Sequence, residues 1–445
     1  SWQIPSGGYR MGMRVAVMTW RARADALLGR EFTIGARAAT VLVSASFVFL
    51  CLPRISGWTL SHVHKEDGVI FLHDWVEHGW GSVFELYTGY LHVVPRLTTA
   101  FAASLPPEAF APVIGVLAAG WRIWLATVSY WAFRSLDWSP KSSAVAASMF
   151  VLVPAGQHEV LGNLTNERWF CDAGLVVIAL SRLTGLRAAL ASVTGLLCAL
   201  SDPLAIALIP VLAMGVWLNR GRGWLAPLTA ITGALIHAAM LDSGARQAGV
   251  SAWLHLPGEL LGQFVVRGLE IPQFGVTGTM VANKLAPWPV VALGVLLPIA
   301  ILLKCRDRRL LLMLATAWYL LACSIVFASP QDLTVSNWFA AGQPSRYSLV
   351  PSILLAMVAV GVGRLLWGRG QKTLPILVAC AFLVGMILDF RGDPQNAEGP
   401  TWANTVERAQ TQCRATPLVV TPVEFNPTRH PQKWEAPIRC AWLMR

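Results

Sequence analysis

The chain has 445 residues, of which 55% are hydrophobic and 13% charged, and its mean hydropathy is +0.53. This composition excludes a soluble globular protein and is typical of a polytopic membrane protein, whose helices each need roughly 20 apolar residues to cross the hydrocarbon core. The net charge of +11 needs no nucleic acid partner, because the basic residues cluster in alternate loops, where an anionic inner leaflet attracts them.

Segment 1–37 is basic and precedes the first apolar run. We interpret it as a cytoplasmic or interfacial N-terminal segment. By the positive-inside rule, the alternation of basic loops puts the N-terminus in the cytoplasm and the C-terminus outside. About eleven transmembrane helices are predicted, at residues 38–60, 111–133, 143–156, 170–182, 187–201, 203–219, 223–241, 286–303, 309–328, 348–367 and 374–390. The fold class is therefore an all-α membrane bundle over 38–390.

The first external loop, 61–110, is predicted to contain amphipathic helices. On a helix that begins at Glu66, one side is apolar and is expected to rest in lipid; it consists of Val69, Leu72, Val76 and Trp80. The opposite side carries Asp67, Asp74 and His78. Long external loops are also predicted at 154–169, 242–287 and 329–351, followed by a small external C-terminal tail at 391–445.

Glu66 and Asp67 form an acidic pair at the outer end of the first span. Ionised groups at membrane depth are costly and tend to be functional, so one of the two is predicted to be a general base for a substrate hydroxyl. Asp67 is preferred because it lies on the polar side of the predicted helix. A divalent metal held by His62, His64, Glu66 and Asp67 is the alternative, although this spacing is a weak metal pattern and no metal is required.

Several outer-loop residues are predicted to bind substrate. The run ELYTGYLHVVPRL offers Tyr90, His92 and Arg96, and NWFAAGQPSRYSLVP offers Arg346 and Tyr347. Arg346, Arg96, His92 and Tyr347 are predicted to bind an anionic group such as a phosphate, with an interfacial aromatic belt and snorkelling arginines as the alternative. Hydroxyl and amide contacts to the rest of the substrate are predicted for Asp74, Tyr90, His158, Asn163, Asn166 and Lys284.

The cysteines and one interrupted helix add little about chemistry. Of the 8 Cys, only Cys413 and Cys440 share the external tail, where they are either bonded or free. No CxxC spacing occurs. Pro203, after Ser201 and Asp202, is expected to interrupt the helical run there.

Three short motifs carry a resemblance to a known family. YTGYLHVVPRL, LGNLTNERWF and SDPLAIALIP are similar to the patterns AGYLHLVPRL, GNxTNxxW and TGPFALLxLP of bacterial members of the GT-C superfamily of polyprenyl-phosphate-sugar-dependent glycosyltransferases. The acidic pair after the first span and the late external Arg-Tyr resemble that superfamily too. The chain departs from the pattern at Ser201-Asp202, where Thr-Gly is expected, which leaves Asp202 as either a local deviation or a substrate contact.

The resemblance implies transfer of a sugar from a polyprenyl-phosphate donor to a glycan, lipid or protein acceptor at the external face of a bacterial inner membrane. The reaction would proceed with inversion and without a required cofactor, and membrane lipids would be the other partners. A lipid-linked glycan transporter or flippase and a non-catalytic subunit of an envelope-assembly complex are the alternatives. The absence of a GxxxxGK[ST] loop argues against a nucleotide as direct donor.

Overall fold

The computed structural model describes residues 35–55, 57–155, 160–242, 257–327, 345–390, 400–416, 419–425 and 434–445. Most of the described chain is helical, as expected for the all-α class. The chain forms two compact units, Ser1–Val43 and Ser44–Arg445, and the described functional residues belong to the second. Most of the predicted N-terminal segment, 1–34, lies outside the described residues.

The helices are bounded as follows. In the first part of the chain they are α1 (Ala36–Cys51), α2 (Gly57–Ser61), a π-helix (Asp67–Leu72), α3 (His73–His78), α4 (Val93–Ala103), α5 (Phe110–Arg134), α6 (Pro140–Ala147), α7 (Met149–Leu152), α8 (Glu167–Leu180), α9 (Gly185–Ala199), α10 (Leu204–Ala207), α11 (Ile209–Leu218) and α12 (Leu225–Met240). There follow α13 (Pro257–Val265), a second π-helix (Val266–Glu270), α14 (Ile271–Leu285), α15 (Pro287–Lys304), α16 (Arg308–Phe327), α17 (Leu349–Gly368), α18 (Thr373–Leu388) and α19 (Trp402–Ala415). Strands β1 (Val420–Glu424) and β2 (Glu435–Arg439) precede α20 (Cys440–Leu443).

The predicted spans coincide with helices. Each of the eleven contains at least one helix, because a long apolar run has few alternatives to an internally hydrogen-bonded helix in lipid. In the described part of the chain, 4 helical stretches are long and apolar enough to cross a membrane: Ala36–Arg54, Pro107–Arg134, Arg308–Ile325 and Arg346–Gly368. Five further apolar helices have 10–17 residues. The chain is thus a helical membrane protein, and the number of about eleven crossings stays a prediction.

Helix α8 lies at the centre of the bundle. It packs against α5, α9, α11, α12, α16 and α17, and every one of its residues except Arg168 is buried. An apolar sequence on all sides of a helix favours this central position. Its N-terminal turn, which begins at Glu167, therefore carries charged side chains from the outer surface into the bundle.

On the apolar side of the first external loop, Val69, Leu72 and Val76 pack against protein, so the predicted lipid contact is wrong for these three, whereas Trp80 is 68% exposed. Leu72 is buried in a cluster that includes Phe425 and Ile438 of the tail, and Val69 and Val76 pack against the same cluster. The amphipathic pattern alone does not distinguish a lipid surface from a folded tail. Residues Asp67–Leu72 also form a π-helix, which changes the angular spacing of their side chains and buries Asp67 together with Leu72.

The C-terminal tail is a small folded layer on this loop. It consists of α19, the antiparallel hairpin β1–β2 and α20, and the Cys413–Cys440 disulfide joins α19 to α20. The Trp402 indole donates a hydrogen bond to the carbonyl of Pro107 (2.7 Å). The tail thus packs against the first external loop and is joined to it by this hydrogen bond.

The predicted external loop 242–287 is wrong for residues 257–285, which form α13, the second π-helix and α14. Its polar residues, which suggested a loop, are instead buried: Arg267 and Glu270 are 0% exposed. Gln263 accepts a hydrogen bond from Arg267 Nε (2.6 Å), and Asn283 donates one to Glu270 (2.9 Å). Partners within the same segment make this burial tolerable.

Gly68 gives a test of the packing between the loop and the tail. A methyl group at Gly68 would lie 1.9 Å from the Phe425 ring, whereas one at Gly81 meets nothing within 4 Å. We expect Gly68→Ala to lower the free energy of unfolding by about 2 kcal/mol and Gly81→Ala to leave it nearly unchanged, since overpacking a buried contact costs roughly 1–3 kcal/mol. Thermal unfolding of the purified protein measures both.

The same substitution in a Phe425→Ala background supplies the control. Removing the ring leaves space for the methyl group, so Gly68→Ala should then cost little. An equal loss of stability in both backgrounds would contradict the direct contact.

Candidate active site

Asp67 links the first external loop to the turn before α8. Its Oδ2 accepts a hydrogen bond from the Leu164 amide (2.8 Å), and its Oδ1 accepts from the Thr165 amide (2.9 Å) and hydroxyl (2.6 Å). Burial raises the pKa of Asp67, and these hydrogen bonds and the charge of His64 oppose that rise. Because both oxygens hold the turn and the residue is 0% exposed, Asp67 is placed as an anchor between two loops.

Glu66 is the accessible member of the acidic pair. Its side chain is 23% exposed, and its Oε2 lies 3.0 Å from His64 Nε2. Burial disfavours its ionised form, but the hydrogen bond and charge of His64 and the charge of Arg346 outweigh burial and lower the pKa of Glu66 to about 2. Glu66 is therefore an ionised carboxylate at neutral pH that lies within electrostatic reach of Arg346.

A basic and aromatic cluster surrounds Tyr347. The guanidinium carbons of Arg346 and Arg267 lie 5.3 Å and 5.7 Å from the centroid of the Tyr347 ring. The Trp169 ring meets Tyr347 edge to face at 5.4 Å, and Arg168 lies 4.4 Å from the Trp169 centroid. Arg346 and Arg267 thus lie against Tyr347, and Arg168 lies against the neighbouring Trp169. Three arginines from three different segments share one aromatic cluster, in the arrangement expected for binding an anionic group.

Arg168 is oriented by the interrupted helix. Its Nη1 donates to Asp202 Oδ2 (2.7 Å), and Asp202 Oδ1 accepts from the Leu204 amide at the start of α10 (2.8 Å). Asp202 therefore fixes the turn before α10 and is the ion-pair partner of Arg168. One turn further along α8, Asp172 is 0% exposed, and its carboxylate has no hydrogen-bond partner within the described ranges.

Arg96 and Asp74, predicted to bind phosphate and substrate, pair with each other. Arg96 Nη2 lies 2.9 Å from Asp74 Oδ2, and the Arg96 guanidinium lies over the Phe71 ring at 5.3 Å. His92 stacks against Tyr90 at 4.4 Å, and Arg168 lies 5.6 Å from the Tyr90 centroid. These contacts connect the YTGYLHVVPRL motif to the cluster around Tyr347.

The remaining predicted site residues lie elsewhere. Asn163 Oδ1 accepts from the Asn166 amide (3.0 Å), and both side chains are buried in the turn that Asp67 holds. Lys284 is exposed near the end of α14. His158 lies outside the described residues. Within the described ranges, no three His, Cys, Asp or Glu side chains come together as metal ligands.

Sequence reasoning missed Arg267, because its segment was assigned to a loop. Arg168 was recognised as a donor suited to sugar hydroxyls or phosphate oxygens, but it was not among the predicted site residues. The available signal was the spacing of Arg267 and Glu270 within a mostly apolar stretch, which is typical of buried polar groups at functional sites in membrane helices.

The protein is similar in structure to the Archaeoglobus fulgidus oligosaccharyltransferase, solved in complex with Zn and sulfate. The TM-score is 0.42 and the sequence identity is 14%, over 85% of this chain and 55% of that chain. The chain thus spans about half the length of the oligosaccharyltransferase. No protein-family description and no curated protein matches the sequence. Nothing about donor, acceptor or mechanism follows from a similarity of this size.

The His64–Glu66 pair predicts a pH dependence of stability. Burial lowers the pKa of His64, but its hydrogen bond to Glu66 and the charges of Glu66 and Asp67 raise it above its ordinary value of 6.5. Protonated His64 therefore stabilises the fold below pH 6.5, and this contribution is lost as the pH rises through the raised pKa. The lowered pKa of Glu66 contributes stability above pH 4.5 that is lost as the pH falls toward about 2.

We therefore expect Glu66→Gln to lower the melting temperature most between pH 4.5 and pH 6.5, with a smaller difference at higher pH. Thermal unfolding of the purified wild type and variant across this range measures the effect. A difference in melting temperature that is the same at every pH would contradict the pairing.

Proposed function

We propose that the protein is a membrane glycosyltransferase that moves a sugar from a polyprenyl-phosphate donor to a hydroxyl group of an envelope acceptor. The reaction takes place at the external face of a bacterial inner membrane, with the N-terminus in the cytoplasm. The observation that carries this proposal is the position of Glu66, the accessible carboxylate, within electrostatic reach of Arg346 in the basic cluster around Tyr347. A base and an anion site are thereby joined in one place.

The two parts fit a single displacement with inversion. Glu66 accepts the proton of the acceptor hydroxyl, the acceptor oxygen forms a bond to the anomeric carbon, and the bond from that carbon to the phosphate oxygen breaks. The electron pair of the broken bond stays on the leaving phosphate. Arg346, Arg267 and Arg168, which lie in the cluster, stabilise that charge as it develops.

The low pKa of Glu66 fits this role when the donor is considered. Arg346 lowers the pKa of Glu66 through its positive charge. A donor phosphate bound at Arg346 offsets that charge, so the carboxylate becomes a stronger base once the donor is in place. We assign the base to Glu66 and the anchoring role to Asp67, which reverses the preference drawn from the helical pattern.

A lipid-linked glycan transporter is the second candidate. The observation in its favour is the pair of buried carboxylates at Asp202 and Asp172 beside Arg168, since buried ionisable residues in membrane helices frequently line transport paths. Loss of sugar transfer without loss of donor movement across vesicles would separate the two functions.

The first test of catalysis compares Glu66→Gln with Glu407→Gln. Glu407 is an exposed carboxylate on α19 and serves as the matched control. Removing a general base costs roughly 10²–10⁴-fold in rate, so Glu66→Gln should lose transfer to that extent and Glu407→Gln should keep it. The assay uses the purified full chain with polyprenyl-phosphate hexose and pentose donors, and product is measured per folded protein. Turnover of Glu66→Gln equal to wild type would remove Glu66 as the base.

Asp67→Asn separates the anchor from the base. The amide cannot accept all three hydrogen bonds from Leu164 and Thr165, so we expect it to lower the free energy of unfolding by about 1–3 kcal/mol. Transfer per folded molecule should fall less than in Glu66→Gln. A fully stable Asp67→Asn protein with no activity would indicate that Asp67, and not Glu66, is the general base.

Arg346→Gln tests the phosphate site. Because one charge-stabilising donor is worth roughly 10²–10³ in rate, we expect a loss of that size, partly restored by Arg346→Lys. Arg408→Gln, on the exposed surface of α19, is the matched control and should be unaffected. An Arg346→Gln protein with unchanged kcat and KM for the donor would exclude this role.

A further inference from the structure

A groove of about 250 Å³ lies between the first external loop and the C-terminal tail. It is lined by Trp75, Val76 and Gly79 of the loop and by Arg439, Ala441, Trp442 and Arg445 of the tail. Gly79 has a φ of +58° and open space where a side chain would begin, so it ends α3 without closing the groove. None of these residues takes part in the carboxylate or arginine clusters described above.

The groove combines an aromatic surface with a paired charge. The Trp75 ring is held edge to face by Trp80 at a centroid distance of 5.1 Å. Arg439 donates from Nε to Glu77 Oε1 (2.9 Å) and from Nη2 to Oε2 (2.6 Å). The Arg439 side chain is 47% exposed, and three of its five N–H groups lie outside these two bonds.

This chemistry matches a sugar ring. An indole face accommodates the apolar C–H surface of the ring, while the Arg439–Glu77 pair offers both donors and acceptors to neighbouring hydroxyls. Glu77 neutralises Arg439, so the charge left in the lining to attract a simple anion is that of Arg445. The volume is below the ~300–1,000 Å³ of sites for drug-sized ligands, which suits a single ring of a longer molecule.

The distance between the groove and Glu66 constrains the size of the acceptor. The π-helix and α3 run without interruption from Glu66 to His78. Trp75 follows Glu66 by nine positions, which at the rise of an α-helix corresponds to roughly 14 Å between the two backbone positions. A single sugar cannot contact both ends of that distance.

We propose that the groove binds a saccharide unit of the acceptor, and that the acceptor is therefore a glycan chain rather than a monosaccharide. The groove holds an inner ring while another ring of the same chain presents its hydroxyl to Glu66. The identification of the bound saccharide as the acceptor rests on the proposed transferase function. The binding of a saccharide at Trp75 does not.

Saturation-transfer NMR on the purified full chain, without donor, tests the binding. The probes are short oligosaccharides of glucose, mannose and arabinose. We expect at least one to give saturation transfer, with affinity roughly tenfold lower for Trp75→Ala and partly restored in Trp75→Phe, since losing one anchoring ring commonly costs a factor of ten or more. Trp367→Ala removes an exposed indole on α17 and should bind as wild type.

Two outcomes would overturn the proposal: no oligosaccharide gives saturation transfer, or Trp75→Ala binds as tightly as wild type. Glu66→Gln should keep oligosaccharide binding, because Glu66 does not line the groove. If oligosaccharides bind at Trp75 while Glu66→Gln transfers sugar as fast as wild type, Glu66 is not the general base, but the saccharide-binding groove stands. If Glu66→Gln loses sugar transfer but the wild type binds no oligosaccharide, the groove proposal fails and the assignment of Glu66 as the base stands.

Discussion

Three hydrogen bonds to one buried carboxylate organise the candidate site of this protein. Asp67 receives them from Leu164 and Thr165, so the loop after the first span and the turn before α8 are fixed to each other. The residues to which we assign the proposed chemistry lie beside these contacts: Glu66 precedes the anchor, and Arg168 follows the turn. A charge that is costly to bury thus maintains the spacing between a carboxylate and an arginine cluster.

Other buried charged side chains of the bundle also join separate segments of the chain through hydrogen bonds. The Arg54 guanidinium donates to the carbonyls of Val151 (2.6 Å), Val153 (3.0 Å) and Phe390 (2.9 Å). Arg122 bonds through Nε and Nη2 to one oxygen of Glu167, at the first residue of α8. In a membrane, carbonyls at helix ends have little access to water, and arginine satisfies several of them at once. The ends of the helices near the site are consequently rigid.

The sequence predicts the helices well and the site only in part, for physical reasons. Apolar length is a local property, so the helical spans could be read directly from the chain. The choice between Glu66 and Asp67 depends on donors 97 and 98 positions away, which no local pattern contains. Arg267 was missed because polar residues paired inside a bundle have the same composition as a loop. The apolar side of the first loop was recognised, but a tail far along the chain covers it.

The tail also determines the order in which the outer face can be completed. Trp402 bonds to Pro107 across 295 residues, and Arg439 bonds to Glu77 across 362. Contacts of such sequence separation are slow to form, because the entropy of closing the loop is lost before the contact is gained. The surface on which the tail docks beside Gly68 is formed by residues between Val63 and Ala118 together with Leu164. A chain with an inserted bundle and an undocked tail would expose the apolar residues of the first loop, so tail docking is a natural checkpoint between membrane insertion and a working protein.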